Sequence, residues 1–496
     1  LPARDKSISF FSIVLLLWGD FFSRNTPMKA SDFTPLAITK QRSPGTPGLK
    51  LEDGSRIAVI GGGPSGSFFS YFLLDMAERV DLELRVDIYE PRDFSLPAPQ
   101  GCNHCAGVIS ETLLQNLATE GINLPLTVVQ RGIDSYVMHT DVGSLRIETP
   151  FHEKRIAALF RSAGPRGIQN SEWVGFDEHL LSLAKDKAAQ VIKARVTEVE
   201  RHDGRLVVKT RNAPPQIYDL LSVGTGVNSQ AIKLFDDQEF NYKPPSTTKT
   251  AIHEYFIGAD SIEKYFGSSL HVFLLDIPKL DFAMIVPKGD YVAVCLLGSD
   301  IDEALFQKFL NFPEVKSCFP HDWRGDQPAC KCFPRINVRG ATQPFADRVV
   351  FIGDSGVTRL YKDGIGAAYR AAKAAATTAI FEGISANDFK KHYWPMCRAM
   401  NIDNWFGRFI FTITHVVQRR LLLRQAVLLM ATQEQQEGYS PRMSSVLWDT
   451  FTGSAPYKDI FLRTFHPAFL SRLIWDLSNS FIDNRFVDQD DLRTTA

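Results

Sequence analysis

Cysteine is scarce in this chain, with seven among 496 residues, and the odd number leaves at least one thiol unpaired. That density excludes a secreted scaffold stapled by disulfides and reads as a reducing, cytoplasmic compartment. Charge of one sign is missing as well: 55 Lys+Arg stand against 56 Asp+Glu, a formal net charge of −1. No global field therefore favours nucleic acid or any other polyanion. There is no internal repeat and no low-complexity tract. Nor is there a hydrophobic run of spanning length. Ile8 to Gly19 is apolar over 12 residues, against the ~20 that a spanning helix needs. The run follows Arg4 and Lys6 like an export signal, but no small-x-small cleavage site follows closely. Residues 1–27 are expected to precede a more ordinary start at Met28, with a membrane-surface anchor and export as the alternatives. Residues 41–54 carry Pro, Gly and Ser and read as a linker.

What is present is a globular composition, 44% hydrophobic and 22% charged, in a chain long enough for roughly three domain-equivalents. Phenylalanine, at 36 residues, far exceeds Tyr at 13 and Trp at 7. That excess suits a large apolar pocket.

The first motif is a short apolar strand, Arg56 to Ile60, then Gly61-Gly-Gly63-Pro64-Ser65-Gly66, then a helical stretch from Ser67 to Glu78. Strand, GxGxxG and helix in this order form a dinucleotide-binding turn. Gly61 permits the tight turn, Gly63 lets the backbone approach a pyrophosphate, and Gly66 allows close helix–strand packing. The free N–H groups of the helix then face the phosphates. A second strand, Leu84 to Tyr89, ends at Glu90, placed to accept from a ribose hydroxyl. This motif alone does not separate FAD from NAD.

A second unit makes the choice. Arg348 to Ile352 is another apolar strand, followed by Gly353-Asp354, the turn Lys362-Asp-Gly364-Ile365-Gly366 and an Ala-rich helix from about Ala367 to Phe381. A carboxylate at the strand end suits a polyol such as ribityl, so Asp354 is assigned there. The glycine turn and helix N-terminus present N–H groups toward an electron-rich ring edge. Lys362 is read either as a group near the flavin N1/O2 edge or as a solvated loop lysine. Two strand–Gly–helix units serving one long dinucleotide predict FAD.

Both motifs and their order resemble the p-hydroxybenzoate-hydroxylase-like flavoproteins, and three intervening stretches are similar to the geranylgeranyl reductase branch. Gly101-Cys102-Asn-His-Cys105-Ala-Gly107 sits where that branch places a Cys-Gly-Gly segment beside the flavin, running on to Arg131-Gly-Ile-Asp. Leu220 to Ser229 parallels an Ala-Asp-Gly-x-x-Ser segment, with Thr225 in place of the acid. Phe282-Ala-Met-Ile-Val-Pro287 resembles the strand over the substrate cavity, with Ala283 and Met284 where aromatics are more usual. The resemblance covers about residues 55–380. It implies an α/β fold with a Rossmann-like FAD-binding domain and a substrate β-sheet. It also implies an FAD-dependent oxidoreductase reducing carbon–carbon double bonds of an isoprenoid or lipid-like substrate. Cys102 or Cys105 would order the proton donor, with His104 as an outsider. Alternatives are a monooxygenase or halogenase, an electron-transfer flavoprotein passing electrons to quinone, and a non-enzymatic flavin-binding scaffold or sensor.

The two expected domains interleave over 55–386, with the substrate sheet at about 130–160 and 247–300 and a helical C-terminal region over 387–496. Cys102/Cys105 form a CxxC and Cys330/Cys332 a CxC, while Cys295, Cys318 and Cys397 stand alone. The CxxC pair has several readings: a structural or relay thiol, a redox disulfide, a four-thiolate metal or iron–sulfur site with the CxC, or plain packing. No metal is assigned. Trp405 to Met430 reads as a helical pair with Arg408, Arg419, Arg420 and Arg424 flanking apolar residues, either a cap on the core or a peripheral membrane contact. Trp448 and Trp475 are expected to dock the last helices. The electron donor is not visible: nicotinamide, a ferredoxin-like protein and a quinol all stay open.

Overall fold

The computed structural model describes residues 49–475 except 103, 169–171, 236–239, 437–439, 468 and 474. The expectations for residues 1–48, covering the leader and most of the linker, and for 476–496 lie outside the described residues. Six strands form the first sheet, in the order Phe345–Ala346, Val349–Phe351, Leu220–Val223, Arg56–Ile60, Arg85–Tyr89 and Gln190–Ile192. All pairings are parallel except that of the first two. The central strands are mostly apolar because both faces are covered, with Arg56, Arg85, Asp87 and Ser222 as the polar exceptions. Ile57, Val59, Val86, Ile88 and Val350 pack on the helices Pro64–Arg79, Phe176–Asp186 and Gly364–Thr377. The alternate residues Ala58, Ile60, Leu221, Val223 and Phe351 pack with Val199, Leu206 and Val208 of a three-stranded antiparallel sheet on the other side. His202 and Arg205 flank the turn that joins two of its strands.

The Ala-rich helix comes close to the first helix because Ala371, Ala372, Ala375 and Ala376 are fully buried and add little bulk. Phe68 and Phe72 meet Tyr369 edge-on, with centroids 5.6 and 5.4 Å apart. This packing brings both helix N-termini to the same end of the parallel sheet.

The chain leaves this sheet twice. It builds a seven-stranded sheet in the order Cys330–Cys332, Ala251–Phe256, Tyr291–Gly298, Leu280–Lys288, Ser269–Phe273, Ser135–Thr140 and Gly143–Glu148. Register places Cys332, Ile252, Cys295 and Met284 side by side across four strands. With period-two alternation, Glu254, Ala293, Val286 and Phe282 share their face. The opposite face, with Ala251, Tyr255, Val292, Val294 and Ile285, is sealed by Phe306 and Phe309.

Four further helices, Trp394–Arg419, Leu421–Gln433, Met443–Thr452 and Tyr457–Thr464, close over the first face. Ile410, Phe411, Val427, Met430, Phe451 and Tyr457 join one apolar cluster with Phe282 and Met284. Much of the apolar content of the Trp405–Met430 stretch is therefore spent on the core, and Arg424 pairs with Asp141 at 2.6 Å. Among the described residues no helix is long and apolar enough to cross a membrane. Trp448 docks on Tyr136, with ring centroids 5.7 Å apart. Trp475 does not dock as expected: it is 61% exposed.

Candidate functional site

A cavity of about 550 Å³ lies between the C-terminal ends of the parallel strands and the first face of the seven-stranded sheet. Four sources line it. From the first turn come Gly61, Gly63, Pro64 and Ser65, with Glu90 from the end of the neighbouring strand. Cys102, Cys105 and Arg161 form a side wall. Asp354, Lys362, Gly364 and Ile365 come from the second unit, and Ile252, Met284, Cys295 and Leu297 from the sheet.

The glycines explain the approach of these elements. Gly61 has φ +101°, and a Cβ there would lie 2.6 Å from the Gly224 carbonyl oxygen. At Gly66 a Cβ would lie 1.9 Å from the Gly61 oxygen. Gly66, Gly353 and Gly366 do not line the cavity; each stands one layer behind, where Ser65 crowds Gly353 and the Asp363 carboxylate crowds Gly366. Gly63 precedes the first helix with ordinary backbone angles, φ −68° and ψ −175°, and gives that helix no side-chain cap. Asp363 precedes the second, also without a side-chain cap; its carboxylate instead accepts from Ser110 at 2.8 Å and Arg370 at 3.0 Å. Two uncapped helix N-termini, each with orphan N–H groups, thus open onto one cavity. The loop after Leu220–Val223 is tied to the second unit: the Thr225 and Ser355 hydroxyls lie 3.2 Å apart, and Ser355 Oγ also accepts from Gly226 N–H at 3.0 Å.

The polar groups differ in commitment. Glu90 is buried and already accepts from Gly62 N–H at 3.0 Å and from Arg92 N–H at 2.9 Å. Burial pushes the Asp354 carboxyl up from its ordinary range. Asn337 donates to the Asp354 carbonyl at 2.8 Å, while its own Oδ1 is buried without a partner. Arg161 is clamped by Asp177, with Nη2 2.8 Å from Oδ2, and also reaches Cys105. Neither Asn337 nor Arg161 stands out in the sequence, since neither belongs to a local motif.

Both CxxC cysteines are half-buried free thiols. Cys102 Sγ accepts from His104 N–H at 3.2 Å and Cys105 Sγ from Gly107 N–H at 3.4 Å. Burial pushes the Cys102 thiol up to about 11. No three of Cys102, Cys105, Cys330 and Cys332 bring their sulfurs within 4.8 Å of one another. These four sulfurs are therefore not gathered tightly enough to ligate one single metal ion in this arrangement. Lys362 is no solvated loop lysine: it is buried on the sheet side of the cavity, its Nζ 4.1 Å from the Phe282 ring centroid.

Among the described residues, His139, His271 and Cys318 form the one group of three metal-type side chains with ligand atoms within 4.8 Å. The imidazole nitrogens lie 2.9 Å apart and the ring centroids 5.0 Å. The two nitrogens are at hydrogen-bonding distance, with donor and acceptor set by the tautomers of the two rings.

The fold is a mixed α/β architecture of several sheets with a helical C-terminal region, and solved flavoproteins share it. A geranylgeranyl bacteriochlorophyll reductase-like protein from Thermoplasma acidophilum superposes with a TM-score of 0.59 at 15% identity, over 83% of this chain and 99% of that one. A flavoprotein/dehydrogenase from Cytophaga hutchinsonii gives 0.57 at 12%, over 86% and 100%. The halogenase PltM gives 0.54 at 12%, over 86% and 96%. No protein-family profile matches the chain. No curated protein matches it either.

Proposed function

We propose that this protein is an FAD-dependent oxidoreductase that reduces carbon–carbon double bonds of an isoprenoid or lipid-like substrate. The observation that carries the reading is the pair of uncapped helix N-termini opening onto one cavity whose far wall is an apolar sheet face. The residues present fit the cofactor. Gly61, Gly63 and the Ser65 amide at the start of the first helix suit a pyrophosphate, Glu90 a ribose hydroxyl and Asp354 the ribityl chain. The amides at Gly364 and Ile365 suit the electron-rich edge of the ring, with Gly366 one layer behind them. Bound FAD supplies hydride chemistry. The chain's own task is to hold an alkene in a dry, shaped space: Ile252, Met284 and Leu297 exclude water, and Phe451 closes the side. An isolated alkene develops no oxyanion, so orientation carries more of the burden than polar stabilisation.

The fold shared with PltM motivates a second reading, an oxygen-using monooxygenase or halogenase. Anaerobic reduction of the purified protein separates the two. Reoxidation by a polyprenyl lipid with saturation of a double bond supports the first; rapid reoxidation by oxygen alone, with an oxygenated product, overturns it. Reduction by nicotinamide, by a ferredoxin-type protein and by quinol in parallel identifies the donor. Gly63→Ala keeps an allowed backbone and is expected to lower FAD retention. Unchanged occupancy would contradict the placement of the pyrophosphate.

A further inference from the structure

Lys362 is 5% exposed, yet among the described residues no carboxylate meets it. The Phe451 carbonyl accepts from Nζ at 2.6 Å. The rings of Phe282 and Phe451 lie 4.1 and 5.8 Å away. Among the described residues Cys295, on the adjoining strand, is its one titratable neighbour, and burial pushes that thiol up to about 12. The nearby charges have other commitments. Asp363 accepts from Ser110 and Arg370, and Asp281 from His415. Glu254 holds Lys288 at 3.0 Å. Arg359 donates to the carbonyls of Gly453 and Ala455.

An ammonium has three N–H donors, and one of these is used. Burying an unpaired charge is costly; ring faces and a single carbonyl offset part of that cost. What the position lacks is an anion, and the open space beside it is the cavity, walled there by Ile252, Met284, Cys295 and Leu297. An occupant of that space must be apolar along its body. We propose that Lys362 is the recognition point for an anionic oxygen, a carboxylate or a phenolate, carried by an otherwise apolar ligand of this cavity. The assignment rests on this cavity being the substrate end of the oxidoreductase proposed above, and it adds the substrate's polar handle.

Isothermal titration of the purified full chain tests it with two matched pairs: dodecanoate with its methyl ester, and pentachlorophenolate with pentachloroanisole. At least one anion is expected to bind about tenfold or more tightly than its neutral partner. Preference within the first pair identifies a carboxylate ligand; within the second, a phenolate. At about pH 8 the anion should draw close to one proton into the complex, read as a dependence of the heat on buffer ionisation enthalpy. Lys362→Met should abolish both the preference and the proton uptake while the neutral partners bind as before. Equal affinities within both pairs, failure of both anions to bind, absence of proton uptake, or a preference that survives in Lys362→Met would each overturn the proposal. The proton-uptake measurement needs only the native protein, so it stands even if the variant does not fold. A flavin-loaded protein without anion preference removes this inference alone. A protein that prefers the anion but takes up no flavin removes the oxidoreductase reading alone.

Discussion

Two buried lysines stand against the same face of the seven-stranded sheet and differ in one respect. Lys288 is 1% exposed, lies 4.8 Å from the Phe160 ring centroid and has Glu254 at 3.0 Å. Lys362 is 5% exposed, lies 4.1 Å from the Phe282 ring centroid and has only a carbonyl. The aromatic seat is common to both; the counter-ion is not. A buried cation with its own carboxylate is complete within the chain and serves the fold. A buried cation without one is costly to the fold and retains its full electrostatic demand for a ligand. The difference separates a structural charge from a functional one without reference to any motif.

The largest effect expected from breaking this contrast comes from giving Lys288 the situation of Lys362. Glu254→Gln strands a buried ammonium and should cost roughly 3–5 kcal/mol, read as a lower denaturant midpoint at unchanged slope. The double variant Glu254→Gln/Lys288→Met removes both charges and should return to within about 1 kcal/mol of the native protein. If the double variant is as unstable as the single one, the pair is not the reason for the loss.

The next effect has the opposite sign. Burial pushes Lys362 down from 10.5 to about 7. The unfolded chain keeps this proton up to its ordinary pKa, while the folded protein releases it near 7, so the unfolded state binds more protons in between. Stability therefore rises with pH across that window, and below it the folded state bears the full cost. Lys362→Met should gain roughly 2 kcal/mol at about pH 6, after allowing for the Phe451 carbonyl it leaves unpaired. The gain should fade by about pH 10. Thermal melts of the two proteins across this range check it; a constant difference would mean that the lysine is not desolvated.

The sequence makes the two cofactor turns legible and leaves most of the cavity wall hidden, for a physical reason. Gly61 and Gly66 are dictated locally, Gly61 by its own φ of +101° and Gly66 because a side chain there would collide with the Gly61 carbonyl of the same motif. The strand-ending Gly353-Asp354 pair is equally local. By contrast, Cys332, Ile252, Cys295 and Met284 form one row only after four strands have paired in register. Arg161 finds Asp177 across a loop, and Asn337 finds the Asp354 carbonyl from a separate two-stranded sheet. Arg359 to Asp363 reads in the sequence as a charged turn. Its burial is decided by residues about 90 positions downstream, where Phe451 and Gly453 take the hydrogen bonds of Lys362 and Arg359. Composition could not reveal that cover, so Lys362 stayed divided between solvent and site.

The smallest expected effect tests whether Lys362 has a concealed partner. Cys295 is its one titratable neighbour among the described residues, and as a thiolate it would supply the missing negative charge. The same burial that disfavours the ammonium also disfavours the thiolate, pushing Cys295 up to about 12. Between the two values the pair is therefore neutral on both sides, and below them only the lysine carries charge. Cys295→Ala should accordingly cost only about 1 kcal/mol through lost packing. It should leave the pH at which Lys362 releases its proton where it was, within about 0.3 units. A fall of a full unit or more in that midpoint would show that sulfur and nitrogen share a proton as an ion pair. Lys362 would then resemble Lys288 after all, a cation completed inside the chain, and its claim on a ligand would lapse.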